Sequence, residues 1–484
     1  MDQAAEIELV RSIVAKHFAV SDVKISQDAV QVFITPDLSR LDAEFESLRK
    51  EMSAKGYIPI LERKKGQYNE WEFLVAVIRK PALGPGRNWI NITLLILTLA
   101  TTIFAGAVLW ASYENSATLF TVDNLVFGTL FFAVPLMTIL GVHELAHYLT
   151  SKRYGIDASL PYFIPSIPPL GTFGAFISIR EPMPNKKALI DIGMAGPLAG
   201  ILVSIPIAIL GLILNAQGPV NINAPTGGSV LVNFPFFYDL LAYLVPQPAG
   251  LVAFHPLAFA AWVGFFVTAI NLLPAGQLDG GHVARGLLGD GAKYLSLVVV
   301  AILIFLGVFY GYIGWLFFAF LIIFIGMRHP APLNDVTRLD RRRIAVGVLG
   351  LVLLVGTFVP VPLEQVPVTY TFQTSLEGSN QTVVAAGVQA YFNMTINNTG
   401  TVGNQVRTNV VNTPAGMNAL LYPSNGTSAN ATNTLMVNVP YDRSARITLL
   451  VVVSNLTAPG VKVFQLESHS NDTSASRQFT VTIT

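Results

Sequence analysis

Two histidines and a glutamate in an otherwise apolar stretch form the most informative pattern of the chain, His143-Glu144-Leu145-Ala146-His147. Side chains four residues apart lie on one face of a helix, so both imidazoles can bind one divalent metal ion while the glutamate reaches its water. Two helical histidines that only form hydrogen bonds are the simpler alternative. Ionisable groups inside an apolar segment are energetically costly and are functional by default. The pattern therefore predicts a metal site.

A catalytic zinc site usually has three protein ligands and one water. The chain contains no cysteine, so the third ligand must come from His, Asp or Glu. A later apolar segment ends in residues 271–280, Asn-Leu-Leu-Pro-Ala-Gly-Gln-Leu-Asp-Gly. This end is expected on the same side of the membrane as the two histidines, and it contains Asp279. Asp-Gly alone predicts only a turn. We expect Asp279 to be the third ligand. If it is not, Asp191 or His282 is the next residue to test. His282 could instead form a hydrogen bond to a metal ligand or cap a helix.

The composition indicates that these residues lie in a membrane. Of 484 residues, 52% are hydrophobic and 12% are charged, whereas soluble domains carry about 25% charged residues. A soluble enzyme and a disordered chain are therefore excluded. The net charge of +1 gives no reason to expect nucleic acid as a partner. The polar start, MDQAAEIELV, predicts no cleavable signal peptide, so the first apolar span is expected to direct the chain to the membrane.

A membrane-spanning helix needs about 20 apolar residues. We predict seven spans, at residues 89–111, 125–150, 188–214, 256–273 and 344–359, with a hairpin of two short spans in 294–327. With residue 1 in the cytoplasm, all 13 Lys and Arg residues of 81–360 fall in inner segments. Because basic residues favour the cytoplasmic side, we expect a multi-pass protein of the cell membrane with its N-terminus in the cytoplasm.

Two further domains are predicted on either side of the transmembrane domain at residues 86–360. Residues 1–85 are expected to be a small cytoplasmic α+β accessory domain, with helices near 4–17 and 42–54, strands at 29–34, 57–61 and 71–78, and a polar turn at 64–69. Residues 361–484 alternate in short runs between turns, which predicts an extracytoplasmic Ig-like β-sandwich. Seven Asn-x-Ser/Thr sequons there fit a glycosylated outer surface, or follow from a composition rich in Asn and Thr.

The two motifs together resemble the site-2 protease family of intramembrane zinc metalloproteases. His-Glu-Leu-Ala-His on one apolar segment is followed by Asn-x-x-Pro-x-x-x-x-Asp-Gly on a later one, in the order of that family. The runs at 171–176 (Gly-Thr-Phe-Gly-Ala-Phe) and 191–200, ending Gly-Pro-Leu-Ala-Gly, resemble the plastid and archaeal branch with a soluble N-terminal domain. The resemblance covers about residues 85–330 and leaves out the C-terminal domain.

This resemblance implies a polytopic α-helical membrane protein with a zincin-like active site inside the membrane. His143, His147 and Asp279 would bind one catalytic Zn²⁺, and Glu144 would be the general base. Asn271 matches the family residue that donates a hydrogen bond near the oxyanion; it could equally be an interhelical amide. No other cofactor is implied.

Residues 160–180 contain four prolines within 161–169 (PYFIPSIPP) and a β-like run at 171–179, so a regular helix is not expected there. Non-helical backbone within a membrane must line a cavity or be covered by protein. We interpret the segment as a re-entrant loop and hairpin whose edge pairs with an unwound substrate. A simple amphipathic cytoplasmic loop is the alternative.

The expected function is hydrolysis of peptide bonds within or next to transmembrane segments of membrane protein substrates. Such cleavage would serve regulated intramembrane proteolysis or membrane protein turnover, and the partners would be those substrates and the lipid bilayer. A metal-ion transporter or metal-binding protein with the same residues as a transit site is the alternative. A transit site needs no base at Glu144, and the internal repeats usual in transporters are not visible. A surface protein that is only anchored would not need seven spans.

Overall fold

The structure is a computed structural model that describes residues 3–26, 29–65, 70–81, 87–114, 116–217, 230–245, 254–365, 367–441 and 443–484. The chain divides into two compact units, Met1–Val220 with Phe234–Val361, and Asn221–Asn233 with Pro362–Thr484. The predicted domain boundary at 85/86 and most of the predicted turn at 64–69 lie outside the described residues. The division into domains at 1–85, 86–360 and 361–484 stays a prediction.

The chain begins with a four-stranded antiparallel sheet and two helices. Their bounds are α1 Gln3–Ala15, β1 Ala19–Ile25, β2 Val30–Thr35, α2 Leu41–Ala54, β3 Tyr57–Lys65 and β4 Trp71–Arg79. The sheet order is β1-β2-β4-β3, and each neighbouring pair is antiparallel. The predicted helices and three strands are present. Strand β1 was not predicted, because its side chains are mostly exposed and its polar residues obscure an alternating pattern.

Ten helices and a short hairpin follow among the described residues. They are α3 Asn88–Tyr113, α4 Val122–Gly128, α5 Val134–Arg153, β5 Tyr162–Pro165, β6 Thr172–Phe176, α6 Lys186–Gln217, α7 Phe236–Ala242, α8 Pro256–Asn271, α9 Asp279–Leu288, α10 Ala292–Phe309, α11 Ile313–Ile325 and α12 Arg341–Thr357. One π turn, Thr129–Ala133, joins α4 to α5 just before Pro135. A π turn there accommodates a proline that cannot donate a backbone hydrogen bond.

Four helical segments in the described part of the chain are long and apolar enough to cross a membrane: Asn88–Tyr113, Val122–Arg153, Lys186–Gln217 and Asp279–Phe309. Two shorter apolar helices are Pro256–Asn271 and Ile313–Ile325. These lengths support a membrane protein, whereas the count of seven spans stays a prediction. Helix α6 packs against α5, α8 and α9 and is therefore the central helix of this bundle.

The second unit is built from strands. Their bounds are β7 Val230–Val232, β8 Leu363–Gln365, β9 Phe372–Glu377, β10 Gln381–Val384, β11 Gln389–Asn398, β12 Asn404–Val411, β13 Met417–Pro423, β14 Thr434–Val439, β15 Ser444–Val453, β16 Gly460–His469 and β17 Ser474–Ile483. One sheet has the order β10-β17-β16-β12-β14 and another β13-β15-β11-β9, while β7 pairs with β8. Phe392 of the second of these sheets shares a core with Phe464 and Phe479 of the first. A β-rich C-terminal region is confirmed.

Candidate metal centre

Helix α5 positions the two histidines of the motif. His143 and His147 are 3% and 5% exposed, respectively, and their Nε2 atoms lie 3.1 Å apart. The spacing of four residues puts both rings on the buried face of one continuous helix. The helix thus presents two nitrogen atoms to one point.

Asp279 completes a triangle of three potential ligand atoms. It is the first residue of α9, and its Oδ2 lies 3.2 Å from Nε2 of His143 and 3.1 Å from Nε2 of His147. Ligands bonded to one tetrahedral zinc at about 2.0–2.1 Å lie about 3.3 Å from one another. The triangle therefore fits three corners of such a site and leaves the fourth open. Among the described residues, these three form the one group of three or more His, Asp or Glu side chains whose ligand atoms lie close enough together to hold a metal ion.

Helix α6 orients the ligand rings. His147 Nδ1 lies 2.8 Å from the carbonyl oxygen of Ile192. Because that oxygen can only accept, Nδ1 carries the proton, and the lone pair of Nε2 is available for a metal ion.

The backbone of α6 also comes very close to the rings at Gly196. A Cβ atom at this position would lie 2.1 Å from His147 Nε2 and 2.6 Å from His143 Nε2. Any side chain would therefore occupy the space of the ligand atoms, which explains the glycine.

Glu144 and Asn271 lie beside the triangle. Glu144 is 4% exposed, its Oε1 is 3.9 Å from His143 Nε2, and the backbone of Ile177 lies against its carboxylate. Asn271, the last residue of α8, has its Nδ2 3.2 Å from His143 Nε2. The structure thus brings together all five predicted site residues. Their roles as ligands, base and donor stay predictions.

Asp191 does not join this group. Its carboxylate accepts two hydrogen bonds from Arg343, at 2.9 and 2.7 Å, and one from the hydroxyl of Tyr154 at 2.5 Å. Burial, together with the Asp191 carboxylate, raises the pKa of Tyr154 to about 12, so the phenol remains a donor. Asp191 therefore anchors the start of α6 to α12 and to the end of α5.

His282 also has another partner. Its Nδ1 lies 2.6 Å from Nε2 of His329, and the converging ligand atoms are those of His143, His147 and Asp279 without it. Sequence reasoning did not find this pair, the Asp191–Arg343 pair or the Ile192 carbonyl. The lone Asp191 in a predicted apolar span does indicate that a cationic partner exists. The sequence gives no spacing pattern that would identify this partner as Arg343.

Comparison with known proteins agrees with this geometry. Residues 131–314, which include all five site residues, match the model of Peptidase family M50. The resemblance to the site-2 protease family that the motifs predicted is thereby confirmed, and with it a location in a membrane.

Several curated plant proteins are similar to the chain. "Probable zinc metalloprotease EGY1, chloroplastic" from Oryza sativa subsp. japonica is 35% identical over 229 residues, covering 45% of this chain and 38% of that protein. The Arabidopsis thaliana protein of the same name is 32% identical over 240 residues, covering 47% and 42%. "Probable zinc metalloprotease EGY2, chloroplastic" from Oryza sativa subsp. indica is 33% identical over 261 residues, covering 50% and 44%. The matched part of the chain thus spans 38–44% of the length of these relatives.

Two solved structures match about a quarter of the chain each. A family 123 glycoside hydrolase from Clostridium perfringens covers 24% of this chain and 27% of its own, with a TM-score of 0.20 and 11% identity. Domains 4 and 5 of the S-layer protein SbsC cover 25% and 57%, with a TM-score of 0.16 and 14% identity. Similarities this low support no assignment.

Proposed function

We propose that the protein is an intramembrane zinc endopeptidase that hydrolyses peptide bonds within or next to transmembrane segments of other membrane proteins. The triangle of His143, His147 and Asp279 with Glu144 beside it carries this proposal. The Peptidase family M50 match covers the same residues, and the similar plant proteins are named zinc metalloproteases. Those names, together with the two-histidine, one-carboxylate donor set, support zinc as the ion.

Each site residue has a task in such a reaction. A bound zinc ion would supply Lewis acidity toward a peptide carbonyl and an acidified water. His143, His147 and Asp279 would hold the ion. Glu144 accepts the proton of the attacking water and delivers it to the leaving amine, which returns the carboxylate to its starting state. The Asn271 amide donates a hydrogen bond to the oxygen on which negative charge develops.

The β5–β6 hairpin is proposed to present the substrate. Thr101 Oγ1 donates to the Gly171 carbonyl at 2.7 Å, and Thr101 is about 20 Å along α3 from its first residue at 1.5 Å per residue. This depth supports a re-entrant loop rather than a surface loop. Ile177, next to β6, lies against Glu144, so a substrate strand added to the hairpin edge would pass the base.

The proposed topology has seven spans, with the N-terminal α+β domain in the cytoplasm and an Ig-like sandwich outside the cell. The 13 basic residues of 81–360, all in segments assigned to the inner side, support this orientation. Because water for hydrolysis enters from the face where the histidine helix ends, the cut falls near the cytoplasmic side of the substrate. A metal-transport site is not favoured, since transport gives no reason for a buried carboxylate beside the triangle.

A cleavage assay with the purified full chain tests the proposal. Candidate single-span proteins are the substrates, zinc is removed by a chelator and then restored, and product is measured with the zinc content. We expect about one zinc per chain, loss of cleavage on removal and recovery on restoration. Asp279→Ala should lose both zinc and cleavage, whereas Asp290→Ala, at an exposed position two residues after the end of α9, should retain both. Cleavage that survives complete metal removal would overturn the proposal.

A further inference from the structure

Residues 329–337, between α11 and α12, connect parts of the molecule that are distant in sequence. We call them the 329–337 segment. Leu333 is 6% exposed and belongs to the hydrophobic core of the N-terminal sheet domain. The amide of Leu61 in β3 donates to the Leu333 carbonyl at 2.8 Å, and Leu61 and Asn334 form a parallel bridge. The segment therefore extends the N-terminal sheet at its β3 edge.

The same segment holds the helix that carries Asp279. Arg285 of α9 is 3% exposed and donates to both carboxylate oxygens of Asp335, at 3.3 and 2.7 Å. A bidentate pair with a buried guanidinium, here with an Asp335 side chain that is 32% exposed, fixes both position and orientation. Arg285 lies less than two turns after Asp279 on α9. A shift of the Arg285–Asp335 pair would therefore move the helix that carries the candidate ligand.

A second contact to α9 comes from two imidazoles. His329 Nδ1 lies 2.7 Å from the Pro330 carbonyl, which can only accept, so this nitrogen carries the proton. In the neutral form of His329, Nε2 is then an acceptor, and Nδ1 of His282 donates to it across 2.6 Å. His282 lies one turn after Asp279 on α9.

The segment also contacts the start of α6, the helix that orients the ligand histidines. The amides of Leu333 and Asn334 donate to the carbonyls of Met183 and Pro184, at 2.8 and 2.9 Å. Asp335, the partner of Arg285, lies 3.4 Å from Lys186 Nζ as well. One carboxylate thus joins α6 to α9.

We propose that the 329–337 segment couples the N-terminal domain to the metal centre: seating of Leu333 in that domain fixes α9 through Asp335, and so sets the affinity of the site for zinc. This inference rests on the proposed metal centre and makes Asp335 a positioning residue. Interactions that orient ligands from outside the metal's own shell typically change metal affinity by 10- to 100-fold. A partner that loosens or tightens the N-terminal domain would then regulate the site.

The test uses full-length protein and does not depend on cleavage. Zinc affinity is measured by competition with a chelator, and ligand geometry by the visible absorption of the Co²⁺-substituted protein. Asp335→Asn should weaken zinc binding at least about tenfold and alter the Co²⁺ spectrum, and Asp335→Glu should restore part of the affinity. Asp290→Asn is the matched control, because Asp290 also faces Arg285, at 3.2 Å, but its side chain is 89% exposed. Equal effects of the two asparagine variants would overturn the inference.

A second pair of variants acts from the N-terminal side. Leu333→Ala should speed hydrogen exchange in β3 and weaken zinc binding about tenfold, whereas the volume-conserving Leu333→Met should change neither. If Leu333→Ala loosens β3 while zinc affinity and the Co²⁺ spectrum stay as in the unmodified chain, the segment only docks the domain and the coupling is wrong. If the unmodified chain binds no zinc, the proposed metal centre itself is wrong. That result differs from a failure of the coupling, in which the unmodified chain binds zinc but the variants do not change its affinity.

Discussion

A methyl group added at Gly196 would collide with both ligand histidines of the candidate centre. The new carbon would lie 2.1 Å from His147 Nε2 and 2.6 Å from His143 Nε2, whereas unstrained contacts are about 3.5 Å. The His147 ring must therefore retreat by about 1.4 Å and the His143 ring by about 0.9 Å, or α6 must move away. Metal–ligand distances are held within about 0.2 Å, so the displacement is several times what the site tolerates.

We therefore expect Gly196→Ala to weaken zinc binding by more than about 100-fold, beyond the usual effect of changes outside the ligands themselves. Helix propensity does not oppose the change, because alanine is favoured over glycine within a helix by about 1 kcal/mol. Gly200→Ala, whose methyl would lie 3.1 Å from His143 Nδ1, should have a smaller effect, and Gly141→Ala, with nothing within 4 Å, should have none. Elemental analysis of the purified proteins and chelator competition measure this series. Gly196→Ala with unchanged zinc affinity would refute the packing of α6 on the ligand rings.

Three further predictions concern the rest of the chain. Cysteines introduced at Ser53 and Ser428 should react with an impermeant reagent in intact cells only at Ser428, and labelling of Ser53 alone would invert the topology. Deletion of residues 366–484, which contain a single histidine, should leave zinc content and cleavage of a short transmembrane peptide intact; loss of both would give that region a role in the site. The Arg79 guanidinium lowers the pKa of Glu6 to about 2 from about 4.5, so the stability that Glu6 adds is complete above about pH 4.5 and is lost as the pH falls toward 2. The difference in melting temperature between the unmodified chain and Glu6→Gln should therefore shrink over that range, and a constant difference would contradict the pairing.

The spacing of the histidine motif and the pattern of charges were enough to predict that His143, His147 and Asp279 lie close together, because residue spacing determines which side chains share a helix face. His143 and His147 share a face of any helix, and the charge pattern placed Asp279 near the same membrane face. The structure brings these three side chains within 3.2 Å of one another. The hairpin expected in 160–180 is also present, as β5 and β6.

The contacts that hold the site could not be predicted in the same way. Whether Asp191 is a ligand or an anchor depends on Arg343, which lies 152 residues later in the chain. The pairing of Arg285 with Asp335 and the insertion of Leu333 into the N-terminal core likewise depend on tertiary packing. Helix lengths were also harder to predict than helix positions, because α8 and α11 are shorter than a membrane span usually requires.

The most direct test of the account separates zinc binding from catalysis at Glu144. Glu144→Gln keeps the size and hydrogen-bonding capacity of the side chain but removes its ability to accept the water proton. Zinc per chain and product formation should be measured on the same purified preparation. The account predicts zinc content equal to that of the unmodified protein, with cleavage lower by at least about 100-fold. Cleavage at the unmodified rate with zinc retained would contradict the role of Glu144 as the base and the protease mechanism with it.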